Sequence, residues 1–297
     1  MTVGKVVNKI IGQAANKKII KMAIEKDVPI LLRGETGTGK SSIMREISET
    51  VNIPLSRVNL NGQTSVDEFV GKWLVKDGAT YWVDGVLISA MKKGHIIIVE
   101  EINAALPEIL FVLHSLLDDN KCVTLTEKDG EIIHPHPDFR FIATCNPSEE
   151  YVGTKELNKA FISRFACVLE FNYPDAKTEA KILINRTGIS AFDASGLAYY
   201  AKEIRNLKAR NDIYFTLSTR DLLNWATFLS DLGNKEAFEV TVLNKANSED
   251  REELKRIFKF MFTAAEATYN ELNRSGFDDS SIDGYIIDEE TPMEVMF

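Results

Sequence analysis

The stretch GETGTGKS, Gly34 to Ser41, limits what this chain can fold into more than any other. It follows an apolar run, Pro29-Ile30-Leu31-Leu32, and precedes a helical pattern, Ser42-Ile43-Met44-Arg45-Glu46-Ile47. Strand, glycine-rich turn and helix start, with the spacing G-x-x-x-x-G-K-[ST], are the setting of a phosphate-binding loop. Glycines at 34, 37 and 39 let backbone N–H groups turn inward without a Cβ clash. The segment Gly34, Glu35, Thr36, Gly37, Thr38, Gly39 is therefore expected to form a concave nest of donors. Free N–H groups and the positive end of the helix dipole lie beside it, where Lys40, Ser41 and Ser42 open the helix. Lys40 is placed to reach the β- and γ-phosphates, and the Ser41 hydroxyl to ligand Mg²⁺. The motif predicts a nucleoside-triphosphate site.

A second feature agrees with the first. His95-Ile96-Ile97-Ile98-Val99 is a continuous apolar run, as expected of a parallel strand covered on both faces. Glu100 and Glu101 follow at its carboxyl end, the edge where open α/β sheets bind ligands. Neighbouring strand residues point to opposite faces, so the tandem acids divide two jobs. One faces the metal, and the other faces the attacking water as general base. A third strand, Phe139 to Thr144, ends at Cys145-Asn146-Pro147. Spacing alone leaves Asn146 open: it either holds the γ-phosphate or the water, or makes an Asn–Pro turn.

The rest of the chain reads in two halves. Its 297 residues give room for about two domains of ~150 residues each. The first half alternates strands and helices. Helical spacing is present over 6–26, from the phosphate loop to about 52, and over 86–93 and 107–118. Further short strands are expected at 56–60 and 168–171, with hairpins turning at Lys76-Asp77-Gly78 and Lys128-Asp129-Gly130. From Tyr173 onward the pattern is helical, at roughly 176–186, 193–204, 219–231 and 250–273, with starts at Asp175, Ser218 or Thr219, and Asn247. The expected domains are 1–172, 173–273 and an acidic tail, 274–297, disordered until bound.

Charge and cysteine usage exclude several classes. Of the net −9, seven acids fall in residues 277–297, which leave 35 bases against 37 acids elsewhere, so nucleic acid is not indicated. No run reaches the ~18 apolar residues needed to span a membrane, and no signal-peptide block opens the chain. Cys122, Cys145 and Cys167 form no CxxC pair and read as reduced thiols. His134 and His136 lack companion ligands and read as turn residues. The expected location is the cytoplasm.

With these landmarks in place, the chain resembles the AAA+ ATPases of the MoxR and cobaltochelatase-small-subunit type over residues ~20–270. The pieces that carry the resemblance occur in order: GETGTGKS, SRVNLNGQTSVDEFVGK, DGVLISAMKKGHIIIVEEIN, EIIHPHPDFRFIATCNP, ELNKAFISRF and LSTRDLL. It implies an α/β P-loop NTPase core, with a parallel sheet between helices, followed by a small all-α lid. It also implies roles: Glu100 at the Walker B metal position, Glu101 activating water, and Asn146 as first sensor. Arg164 is implied as an arginine finger offered to a neighbouring subunit, Arg220 as second sensor, and Asn59 as a restraint on Glu101. The family usually carries Asp where this chain has Glu100, and the extra methylene moves the carboxylate by about 1.5 Å.

The function so implied is an ATP-hydrolysing ring, hexameric in this family, that remodels a partner protein such as one with a von Willebrand factor A domain. Two alternatives keep the engine: the ATPase subunit of a cobalt or magnesium chelatase, and an ATP-bound structural ring with little hydrolysis. Trp73, Tyr81 and Trp82 fall where the family places a loop facing the ring channel, so they either touch the client or pack on their own hairpin. A GTPase is disfavoured, because Asn158-Lys159-Ala160-Phe161 and Asn244-Lys245-Ala246-Asn247 lack the Asp of N-K-x-D.

Overall fold

The structure is a computed structural model that describes residues 10–146 and 156–274, with side chains of the last helix described to residue 262. It divides into two units, Met1–Asn172 and Tyr173–Phe297. In chain order the first unit runs α1 (Ala14–Glu25), β1 (Ile30–Gly34), α2 (Lys40–Val51), β2 (Leu55–Asn59), α3 (Val66–Phe69), β3 (Gly71–Lys76), β4 (Ala79–Asp84) and α4 (Val86–Lys93). It continues with β5 (Ile96–Glu100), α5 (Pro107–Leu117), β6 (Val123–Leu125), β7 (Glu131–Ile133), β8 (Arg140–Cys145), α6 (Lys159–Ile162) and β9 (Cys167–Phe171).

Five strands make one sheet in the order β2-β5-β8-β1-β9, and every pairing is parallel. Both faces are covered, which is why its strands read as unbroken apolar runs. Ile97 and Val99 join Leu31, Phe141 and Ala143 in one core, beneath Leu87 of α4 and Leu113 of α5. Ile96 and Ile98 join Ile30, Leu32 and Ile142 in the other, against Ile20 and Ile24 of α1 and Ile43 and Ile47 of α2. The carboxyl ends of β1, β5 and β8, three adjacent strands, therefore open on a single edge. The two predicted hairpins form as β3–β4 and β6–β7.

Departures from the sequence reading have local causes. The first helix starts at Ala14, because Gly12 and Gln13 take left-handed backbone (φ 78° and 57°). The predicted portion before Ile10 lies outside the described residues. The one-turn helices α3 and α6 are too short to show a period. Side chains nucleate them: Ser65 accepts from the Glu68 amide at 3.3 Å and Asn158 from the Phe161 amide at 2.6 Å. The expected tail, from residue 275 on, lies outside the described residues.

The second unit is helical: α7 (Ala176–Thr187), α8 (Ala191–Ala209), α9 (Thr219–Thr241) and α10 (Arg251–Arg274). The predicted stop of α9 at 231 falls two residues before Gly233, whose φ of 76° breaks the helix before it resumes. Its core is aromatic. Trp225 packs edge-on to Tyr200 at 5.4 Å, Phe238 stacks on Phe258 at 4.3 Å, and the Tyr200 hydroxyl donates to the Leu254 carbonyl at 2.9 Å.

Polar groups fix the start of α9. Arg205 donates both terminal nitrogens to the fully buried Glu179, at 2.8 and 2.9 Å, and its Nε to the Leu217 carbonyl at 2.8 Å. Thr219 donates to the same carboxylate at 2.5 Å, and Ser218 and Asp221 close a capping box. Removing one partner of such a pair strands the other charge. Glu179→Ala is thus expected to lower the unfolding free energy by about 3 kcal/mol, read by urea denaturation. A loss under about 1 kcal/mol, the range of an exposed pair, would show the carboxylate to be dispensable.

Candidate active site

The phosphate loop is shaped by its strand neighbour and by the helix it opens. A Cβ at Gly34 would sit 2.2 Å from the Phe171 carbonyl oxygen, so β9 can lie beside the loop only if residue 34 has no side chain. Gly39 has φ 95° and begins α2 without a side-chain cap, and no acid occupies the first turn of that helix. The amides there are left for an anion. Thr38 braces the loop by donating to the Glu35 carbonyl at 2.9 Å. One carboxylate oxygen of Glu35, Oε2, is buried with no hydrogen-bond partner among the described residues.

Lys40 is buried, and its ammonium donates to the carbonyls of Gly34 (2.5 Å) and Glu35 (2.8 Å) and to Asn146 Oδ1 (3.1 Å). Asn146 thus faces the loop from the end of β8. That geometry favours the ligand-facing alternative for Asn146; its neighbour Pro147 lies outside the described residues. The Ser41 hydroxyl donates to Glu100 Oε1, and Glu100 Oε2 accepts from Arg57 of β2 at 2.5 Å. Lys40, Ser41, Glu100 and Asn146 therefore converge from three strand ends.

The tandem acids are separated differently from the expected alternation. Only Glu100 is on the strand. Glu101 turns off it into the left-handed region (φ 57°, ψ 42°) and starts a short 3-10 turn, Ile102–Ala104. Such a conformation costs a non-glycine residue ~1–2 kcal/mol and is found where the surroundings enforce it. Two contacts do so: the Glu101 amide donates to Thr144 Oγ1 at 3.4 Å, and Ala104 N–H returns to the Glu101 carbonyl at 2.8 Å. The Glu101 carboxylate has no hydrogen-bond partner among the described residues, which leaves it available as a base. No hydrogen bond joins it to Asn59, which is exposed at the end of β2.

Three residues that the sequence did not single out tie this edge together: Arg57, Thr144 and Asn103. Asn103 is 4% exposed, donates to the Asn146 backbone carbonyl at 3.0 Å, and leaves its own Oδ1 buried with no partner among the described residues. Its signal was a polar residue two positions after the Glu-Glu pair, between Ile102 and Ala104. Arg57 and Thr144 carried none, since strand residues of that kind are common.

For Mg²⁺, the donor set offered by Ser41 and Glu100 is a hydroxyl and a carboxylate, both hard oxygens. No group of three His, Cys, Asp or Glu able to hold a metal occurs among the described residues. The pair fits a cation that keeps waters and takes its other ligands from phosphate, as Mg²⁺ does.

A family profile for the AAA domain (dynein-related subfamily) matches residues 29–165, and one for the CbbQ/NirQ/NorQ C-terminal region matches 179–261. The NorQ protein of Paracoccus denitrificans is 31% identical over 215 residues, covering 72% of this chain and 78% of NorQ. The chain belongs to the NorQ, CbbQ and NirQ family of MoxR-like AAA+ ATPases. A stretch of midasin from Giardia intestinalis is 38% identical over 172 residues, but this is 57% of the present chain and only 4% of midasin. A solved mutant form of Thermotoga maritima RuvB covers 89% of this chain and 84% of its own at 16% identity and a TM-score of 0.57, a likeness of fold alone.

Two arginines that AAA+ proteins would use lie apart from the loop in sequence. Arg164, just after α6, donates Nε to Asp118 at 2.7 Å and Nη1 to the Ala160 carbonyl at 2.6 Å. His114 beside it has its pKa lowered, by burial first and then by the Arg164 charge. A neutral imidazole does not repel the guanidinium. Arg220 is exposed as the second residue of α9 and has no ion-pair partner among the described residues. A cation at a helix N-terminus is unfavourable unless an anion meets it.

The aromatic segment of this AAA+ domain divides its labour. Trp82 is partly buried against the core and donates to Asp84 at 2.9 Å. Trp73 meets it edge-on at 5.7 Å and donates to the Glu127 carbonyl of the second hairpin at 2.7 Å. Trp73 and Tyr81 remain 45% and 42% exposed, whereas Trp82 serves packing. Among the described residues no helix is long and apolar enough to cross a membrane.

Proposed function

We propose that this chain hydrolyses ATP as a ring, hexameric by family resemblance, and uses the cycle to remodel or activate a partner protein. The observation that carries the reading is the convergence of Lys40, Ser41, Glu100 and Asn146 on one sheet edge, next to Glu101, whose carboxylate has no hydrogen-bond partner among the described residues. In this reading Gly34 to Ser42 cradle the phosphates, and Lys40 exchanges its loop carbonyls for phosphate oxygens. Ser41 and Glu100 hold the metal side, directly or through water. A Mg²⁺ held there would supply charge neutralisation to the phosphates. Glu101 takes the proton of the attacking water, and Asn146 orients that water or the γ-phosphate. Arg164 serves the nucleotide of the neighbouring protomer, and Arg220, on the helical second unit acting as a lid, answers loss of phosphate.

The proposed partner carries a von Willebrand factor A domain, and the three unpaired cysteines suit a reducing compartment such as the cytoplasm. The test is ATP turnover measured against protein concentration, alongside mass in solution with Mg²⁺ and ATP. Turnover per chain should rise steeply over the range where rings assemble. Tight ATP binding without turnover would instead favour the structural ring.

A further inference from the structure

We propose that Arg57 is the positioning residue that allows a glutamate to serve at position 100. The inference rests on Ser41 and Glu100 forming the metal side of the site. Glu100 spans two partners: Oε1 accepts from Ser41, and Oε2 accepts from Arg57 Nη2 at 2.5 Å. Arg57 lies on β2, which pairs with β5 in the register Arg57↔Ile98 and Asn59↔Glu100, so its long side chain must run along the strand to reach the carboxylate. The Glu100 side chain is only 12% exposed, so its orientation matters, whereas that of Arg57 is 47% exposed on an edge strand.

A glutamate has one more rotatable bond than an aspartate, and an untethered Glu100 would sample rotamers that aim neither oxygen at Ser41. The guanidinium removes that freedom by gripping the far oxygen, which leaves the near one fixed toward the metal side. A carboxylate about 1.5 Å shorter would have to release one of the two partners or draw Arg57 further along the strand. The longer acid and the arginine thus work as one unit, in the way outer-shell partners fix metal-binding carboxylates.

The experiment is a Mg²⁺ titration of the binding of a fluorescent ADP analogue, which reads metal coupling without turnover. It uses the full chain as wild type, Arg57→Ala, Glu100→Asp and the double variant, with melting temperatures recorded to confirm folding. Arg57→Ala is expected to raise the Mg²⁺ concentration for half-maximal enhancement by about tenfold or more, with affinity in EDTA unchanged. In the Glu100→Asp background the same substitution should change the midpoint by less than about twofold, since the shorter acid is expected to release Arg57. An equal loss in both backgrounds, no loss, or tighter Mg²⁺ coupling in Arg57→Ala would each overturn the inference. A wild type whose nucleotide binding ignores Mg²⁺ would overturn the proposed function as well, so the two failures are distinguishable.

Discussion

Arg164→Ala should leave nucleotide affinity within about twofold of wild type and lower ATP turnover by about 10³–10⁵-fold, equivalent to roughly 4–7 kcal/mol of barrier. An arginine finger meets charge that develops only in the transition state, so its removal spares ground-state binding. In this chain Asp118 and the Ala160 carbonyl take Nε and Nη1, and no hydrogen bond engages Nη2 among the described residues. Mixing separates a finger that acts in trans from one that acts in cis. Rings doped with increasing Arg164→Ala should lose activity at the wild-type sites that face a variant neighbour. Activity falling only in proportion to the wild-type chains removed would place the arginine in its own protomer's site.

The second large effect is expected from Glu101→Gln. A positioned general base contributes about 10²–10⁴ in rate, and the amide cannot accept the proton of water. ATP should bind normally and remain uncleaved, with turnover reduced by that factor. The left-handed backbone at Glu101 belongs to the main chain and tolerates glutamine equally, so melting temperature should not move by more than about 2 °C. Release of phosphate at the wild-type rate would assign water activation to another group. If the proposed function holds, the same variant loaded with ATP should retain the partner protein through affinity purification.

Much of the α/β unit was legible because each site residue sits beside an apolar strand. Ile30 to Leu32, Ile96 to Val99 and Phe139 to Thr144 announce buried parallel strands, and function follows at their carboxyl ends. Two kinds of fact were not legible. One is cross-strand pairing: nothing in SRVNL says that Arg57 reaches Glu100, since that depends on the register of β2 against β5. The other is backbone that departs from the strand. The apolar run continues to Val99, and a period of two carried past it puts Glu101 on the opposite face, whereas the chain has already turned. In the helical unit, caps read well at Asp175 and Ser218; Ser190 has the same three-residue spacing to an Asp, Asp193, and goes unread, whereas the resumption of α9 after Gly233 gives no comparable signal.

The strand that carries the phosphate loop finds both of its neighbours, β8 and β9, more than a hundred residues downstream. Lys40 likewise meets Asn146 across 106 positions of chain. Contacts this distant form slowly, because loop closure must precede any gain from them. During synthesis the nucleotide-binding signature precedes by more than a hundred residues the two strands that flank it in the sheet. A nascent chain halted before residue 140 would display GETGTGKS yet have no sheet partners to hold it in shape. Nucleotide would then act as a late check on the finished sheet, binding only chains whose loop-bearing strand has been enclosed on both sides.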